Sequence, residues 1–111
     1  MVFPTAAKNR LRDLMASDVN LGMCGTGASA EDASDVTLAT AATASSEIVT
    51  TATSDRQLVV DYSLPATEIN GSTITEFGIF GSDGTLYSRQ IFSSFTKSSN
   101  EQWQFSAVYH Y

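Results

Sequence analysis

Ile74-Thr75-Glu76-Phe77-Gly78-Ile79-Phe80, followed by Gly81-Ser82-Asp83-Gly84-Thr85 and Leu86-Tyr87-Ser88-Arg89-Gln90-Ile91-Phe92, is the stretch whose reading decides the fold. Two runs rich in β-branched and aromatic residues flank an Asp-Gly pair. Asp-Gly favours a turn with positive φ, so Thr73 to Phe92 reads as a β-hairpin. A two-residue loop would set Glu76 diagonally opposite Arg89 on one face, together with Ile74, Phe80, Tyr87 and Ile91. A three-residue loop would send the two charges to opposite faces. On a shared apolar face they form a semi-buried ion pair, which specifies register more than it adds stability. That structural role is the expectation for Glu76 and Arg89, ahead of catalysis by a lone carboxylate.

Outward from the hairpin, the segment 46–111 is β-rich. Strands are expected over Glu47 to Thr53, Gln57 to Leu64, Ser72 to Gly81, Thr85 to Phe92 and Gln102 to Tyr111. Val49 and Thr51 beside Leu58, Val60 and Tyr62 carry the period of two of half-buried antiparallel strands, joined at Ser54-Asp55-Arg56. Pro65 stops the second strand because it supplies no amide to a ladder, and Asn70-Gly71 marks a tight turn. In the last strand Trp103, Phe105, Ala107, Tyr109 and Tyr111 share one face, and Gln104, Ser106, Val108 and His110 the other. Trp103 and Phe105 read as core. Tyr109 and Tyr111, which carry hydroxyls, read as rim or subunit-contact residues.

The N-terminal part, 1–17, holds the one convincing helical pattern. Thr5 is the expected cap of a segment from Ala6 to Met15, with Leu11, Leu14 and Met15 as a narrow apolar stripe. Lys8, Arg10 and Arg12, half of the six basic residues, lie opposite. They read either as a solvated face or as a docking surface for an acidic partner or sister subunit. Val19 to Cys24 alternates as a short strand and breaks at Gly25-Thr26-Gly27. The stretch 28–45, rich in Ala, Ser, Thr and Asp, reads as a long surface loop with one helical turn around Ala30 to Val36. Val36 and Leu38 are its expected anchors on the core. The fold class that follows is mainly β: an antiparallel β-sandwich, jelly-roll-like, with one short N-terminal α-helix, forming a single domain over 1–111.

Composition narrows the function. A net charge of -6 argues against an electrostatic nucleic-acid binder and against a polybasic membrane contact, so neither partner is expected. The chain starts at Met1 without a basic-then-apolar leader or an apolar run near the ~20 residues of a membrane span, so a complete, cytoplasmically made product is expected. One cysteine, Cys24, allows no internal disulfide and reads as a buried, inert thiol. The single histidine, His110, has no motif around it. A Cys24–His110 nucleophile pair has no local signature, and zinc lacks ligands. Gly22-Met23-Cys24-Gly25-Thr26-Gly27 has no Lys-Ser or Lys-Thr to make a phosphate loop. Glu31, Asp32 and Asp35 lack the alternating spacing of a calcium loop and read as solvated carboxylates. The expectation is a non-enzyme without cofactor or metal.

The order of features completes the reading. A short helix, a strand ending in Gly25-Thr26-Gly27, an Ala/Ser/Thr/Asp-rich stretch, a polar hairpin, Asn70-Gly71-Ser72-Thr73-Ile74-Thr75-Glu76-Phe77-Gly78-Ile79-Phe80, then Asp83-Gly84-Thr85-Leu86 with Arg89 and Phe92, Lys97 and an alternating last strand succeed one another. This order resembles small tail-fibre and baseplate virion proteins of tailed viruses. Ile-Thr-Glu-x-Gly-Ile-Phe followed by Asp-Gly-Thr-Leu also resembles the attachment domain of tail-collar fibres. The resemblance implies an assembly module, made in the host cytoplasm and located in the virion, that forms homo-oligomers and joins other virion structural proteins. It implies a station in the tail, baseplate or fibre attachment, with the neck or capsid surface as the alternative. A small carbohydrate-binding module, with Trp103, Tyr109 or Tyr111 as a stacking platform, is the reading from a different class.

Overall fold

The alternating segments become strands of two antiparallel sheets, preceded by one helix. The computed structural model describes residues 1–27, 29–40, 47–65, 71, 73–99 and 101–111. Within these lie α1 (Thr5–Asp18), β1 (Val19–Gly25), β2 (Glu47–Ile48), β3 (Thr50–Ser54), β4 (Gln57–Leu64), β5 (Thr73–Gly81), β6 (Leu86–Thr96) and β7 (Trp103–His110). One sheet has the order β2-β1-β5-β6 and the other β3-β4-β7. All pairings are antiparallel. The expected mainly β, antiparallel β-sandwich with an N-terminal helix is therefore the observed class. Its sheets hold four and three strands among the described residues, whereas a jelly roll distributes eight strands over two Greek keys.

The core forms where the inner faces meet. Leu58, Val60, Tyr62 and Leu64 of β4 alternate inward and are completely buried, against Cys24 of β1 and Ile74, Phe77 and Ile79 of β5. Phe105 of β7 joins the layers. Its ring centroid is 5.5 Å from that of Tyr62 and 5.0 Å from that of Phe77, both stacked, within the range where aromatic pairs add to simple area burial. The Tyr62 hydroxyl donates to the Cys24 sulfur at 3.6 Å. Trp103, Phe105, Ala107, Tyr109 and Tyr111 pack against this cluster, as their shared face in the sequence predicts.

Three sequence expectations need correction. The run Glu47 to Thr53 is two strands in different sheets, because the chain crosses between layers at buried Val49, whose N–H donates to the Asn20 carbonyl at 3.3 Å. Ile74 leaves the face of Glu76 and enters the core, since the register shifts between these two residues as at a β-bulge. The third concerns α1. Pro4 occupies the N-cap position without a side-chain cap, and Thr5 is the first helical residue. Pro suits a helix start because its missing N–H would have no intrahelical partner there.

The helix also docks by a different face from the one its apolar stripe suggests. Leu11 and Leu14 are 44% and 49% exposed, while Met15 and Ala16 touch the core. Polar bonds to the β3–β4 turn fix the orientation. The Asn9 amide donates to the Asp55 carboxylate at 3.1 Å and accepts the Arg56 N–H at 2.7 Å. Arg12 donates to the Ser54 carbonyl and to Asn9. Arg56 has a φ of +55°, a left-handed conformation unusual outside glycine, and it is held from both sides because its carbonyl accepts the Tyr111 N–H at 2.9 Å. At the far end Asp18 accepts the hydroxyls of Ser82 on the β5–β6 turn and of Tyr87 at the start of β6, which ties the helix exit to the hairpin.

The turn itself contains Gly84 at φ +88°, as Asp83-Gly84 predicts. The β4 strand ends at Leu64, immediately before Pro65. Gly71 has φ +81°, while Asn70, its expected turn partner, lies outside the described residues, as do residues 28 and 41–46 of the long loop.

Two leucine truncations separate core from surface. Leu58→Ala is expected to cost about 2–5 kcal/mol, read as a lower urea midpoint at unchanged slope. Leu11→Ala should stay within about 0.5 kcal/mol of the parent. Equal losses would show that the outward helix face is in fact packed.

Candidate functional site

The chemically densest place in the molecule lies on the outer face of the four-stranded sheet. Glu76 of β5 pairs across the hairpin with Ile91, and Arg89 of β6 with Gly78, so the two charges are diagonal neighbours on one face. Of the two registers open to the hairpin, this is the one that unites them. The register shift between Ile79 and Phe80, which leaves Tyr87 as the extra residue, takes up the longer turn.

Residues 26–27 and 29–40 fold over this face. Glu76 has no solvent exposure, and both of its oxygens are used twice. Oε1 accepts from Arg89 Nε at 2.8 Å and from the Ala39 N–H at 2.9 Å. Oε2 accepts from the Gly27 N–H at 2.8 Å and the Thr40 N–H at 2.9 Å. The remaining Arg89 nitrogens reach the same segment from the other side. Nη2 donates to the Ser29 carbonyl at 2.8 Å and the Ser29 hydroxyl at 3.3 Å, and Nη1 to Asp35 at 3.2 Å and the Ala30 carbonyl at 3.4 Å. All four acceptor directions of the carboxylate and all five donors of the guanidinium are thus engaged. Thr75, brought to this side by the bulge, donates to the Gly27 carbonyl at 2.6 Å.

Gly25 and Gly27 make the close approach possible. A Cβ on either would run into the Glu76 carboxylate and the backbone of Thr40. The Gly-Thr-Gly break thus marks where the loop turns onto the sheet. Leu38, 3% exposed, anchors the loop as its sequence predicts. Val36, the other expected anchor, is 79% exposed, because the turn before it is set by its own polar side chains. The Ser34 N–H and hydroxyl bond to Asp32, and the Asp35 carboxylate accepts the Asp32 N–H. This is an Asx-type turn where a helical turn was expected.

Burial alone would raise the Glu76 carboxyl, but the Arg89 guanidinium and the amides of Thr40, Ala39 and Gly27 outweigh it and hold the group below the ordinary range. Arg89 is correspondingly raised, first by its bond to Glu76. The pair is a staple that binds loop to sheet. Two of the three loop acids expected in solvent bond to β6: Asp35 pairs with Arg89, and Glu31 accepts the Ile91 N–H at 2.8 Å, while Asp32 bonds within the loop to Ser34. A cavity of about 310 Å³ beside the staple is lined by Glu31, Asp32, Asp35, Tyr87, Ser88 and Arg89 among others.

The other residues singled out by sequence are dispersed. Lys8 is half-buried and Arg10 exposed, while Arg12 turns inward with its side chain only 13% exposed, so the three do not form one outward basic face. Tyr109 and Tyr111 also point inward. The Tyr109 hydroxyl bonds to that of Ser88 and the Tyr111 hydroxyl to the Met15 sulfur, and burial raises both phenols. Tyr87 is pushed up to about 12 by its bond to Asp18. Cys24 sits between the sheets and His110 on the solvent side of β7, so the structure does not bring them together. Sequence reading missed Lys97, which is fully buried and donates to the Ser98 carbonyl at 3.4 Å.

Breaking either half of the staple strands a buried charge. Glu76→Gln or Arg89→Met is expected to cost about 3–5 kcal/mol and to speed hydrogen exchange at the Gly27, Ala39 and Thr40 amides. Because the folded-state value of Glu76 lies below its ordinary 4.5, its contribution is complete above that pH and is lost as pH falls through the folded value. Acid unfolding should therefore be less steep below that point in Glu76→Gln. An unchanged slope would contradict the staple.

Comparison with family models, with curated proteins and with solved structures yields no match for this chain.

Proposed function

We propose that the chain is a non-enzymatic structural component of the virion of a tailed virus, joining parts of the tail, the baseplate or a fibre attachment. The observation that carries this reading is the use made of the two charged residues inside the hairpin pattern. Glu76 and Arg89 commit every acceptor and donor to fastening a long loop onto a sheet. That use supports a role in building a rigid body, and it agrees with the likeness of Asn70 to Phe92 to tail-collar attachment domains. The neck and the capsid surface are alternative stations for the same role.

Mass spectrometry and electron microscopy of purified parent particles test the proposal. The expected result is this chain at a fixed copy number, with density that accepts a four-plus-three-stranded sandwich. Its absence from purified particles would overturn the reading.

The helix is the proposed contact with acidic neighbours, through Arg10 and Lys8 beside the exposed Leu11 and Leu14. Lys8→Glu with Arg10→Glu should reduce incorporation into particles while leaving the fold intact. Arg12→Glu should instead loosen the helix from the β3–β4 turn. Full incorporation of the double variant at low salt would make the helix a solvated face.

Glycan binding has one observation in its favour, a groove of about 500 Å³ in which Trp103 lies among Thr96, Glu101, Gln102 and Gln104. The inward turn of Tyr109 and Tyr111 removes the rest of the proposed platform. Trp103→Ala would abolish oligosaccharide binding measured by calorimetry if this reading holds.

A further inference from the structure

A two-sheet body that is not closed into a barrel has four edge strands, and each offers unpaired ladder groups to a passing chain. Three of the four are guarded here. β2 has two residues. β6 is shielded by the stapled loop, with Glu31 accepting the Ile91 N–H at 2.8 Å. β3 has five residues, and Arg12 of the helix occupies the Ser54 carbonyl at its end.

The fourth edge, β7, has none of these protections. It is eight residues long and pairs with β4 in unbroken register from Trp103 to His110. Its sequence, WQFSAVYH, has no proline, glycine, lysine or carboxylate. Among the described residues no strand lies on its outer side. The Tyr111 N–H donates to the Arg56 carbonyl, so by alternation the odd-numbered residues bond toward β4. The N–H and C=O groups of Gln104, Ser106, Val108 and His110 therefore point away from the sheet.

We propose that β7 pairs antiparallel with β7 of a second copy of this chain, joining two three-stranded sheets into one six-stranded sheet across a two-fold axis. Side-chain parity restricts the register. The inner faces of both copies stay on one side only if paired residue numbers have an even sum. Centring on Ala107 overlaps seven of the eight strand residues, setting Phe105 opposite the partner's Tyr109, Gln104 opposite the partner's His110, and Ser106 opposite the partner's Val108. Aromatic residues then meet on the inner face and hydrogen-bonding residues on the outer one. Charge favours this edge as well. Copies with a net charge of -6 repel one another, and β7 is a surface on which no acid meets an acid. Isologous pairing is also the commonest way in which identical chains associate.

The inference rests on the assembly reading for its purpose but is tested separately. Val108→Pro removes an outward N–H from an edge strand, a place where a folded monomer tolerates proline. Light scattering on the purified chain should give the mass of two copies for the parent and one for Val108→Pro, with matching circular dichroism. Should Val108→Pro fail to fold, Ala107→Cys takes its place. Oxidation should link two copies through residue 107 in high yield, since the side chains at the axis face each other. A parent that stays monomeric at high concentration, a dimer that survives Val108→Pro, or Ala107→Cys chains that do not cross-link would each overturn the pairing. If the chain is found in particles but does not dimerise, only this inference falls. If it dimerises but is absent from particles, only the virion reading falls.

Discussion

A fully buried carboxylate is tolerable only when its lone pairs are filled, and Glu76 draws its donors from two places that the chain would otherwise leave apart. Arg89 comes from the next strand, and three backbone amides come from the loop that follows β1. The dependence is mutual. The described residues of the loop belong to no helix or strand, so many of their amides need an acceptor from elsewhere, and Glu76 supplies it for three of them. Removing the carboxylate would leave three backbone N–H groups and the Arg89 Nε without this acceptor. Removing the loop would expose the outer face of the four-stranded sheet.

This constraint shapes the rest of the body. With the loop in place, β5 is covered on both faces, and it is buried without a break from Glu76 to Gly81. The three-stranded sheet remains open on its outer side, where Gln104, Ser106, Val108 and His110 are exposed. The helix belongs to neither sheet. It is held at the rim by Asn9, Arg12 and Asp18, with the apolar stripe left outward. Polar tethers of this kind fix direction, whereas an apolar stripe alone would permit sliding along the core.

The architecture uses charged groups as fasteners and blunts three of its four sheet edges. It leaves recognition to the surfaces that remain: one exposed helix face with Arg10, one open groove at Trp103 and one unguarded strand. The groove and the strand share Trp103, Gln104 and Phe105 of β7, so contacts through these two would compete, whereas the helix face belongs to a separate element.

Much of the fold was legible in the residues. The hairpin at Asp83-Gly84, the end of β4 before Pro65, the inward faces of β4 and β7, and the anchoring by Leu38 all follow from local rules: turn chemistry, a missing amide and a period of two. The ion pair between Glu76 and Arg89 was legible as one of two registers. What the local pattern could not express is where a face goes once layers stack. An alternating run looks the same whether it stays in one sheet or crosses to another, as at Val49. An apolar stripe on a helix looks the same whether packed or open, and polar bonds from Asn9 and Arg12 decided that Leu11 and Leu14 face outward. Lys8, Arg10 and Arg12 were grouped by helical spacing, yet the β3–β4 turn captured one of them. The sequence by itself determined the strands, their turns and a single sandwich, because these depend on neighbours two to four residues away. Only the tertiary structure decided that Glu76 and Arg89 fasten the loop, that the tyrosines turn inward and that β7 is left unguarded, because each depends on groups brought together from distant parts of the chain.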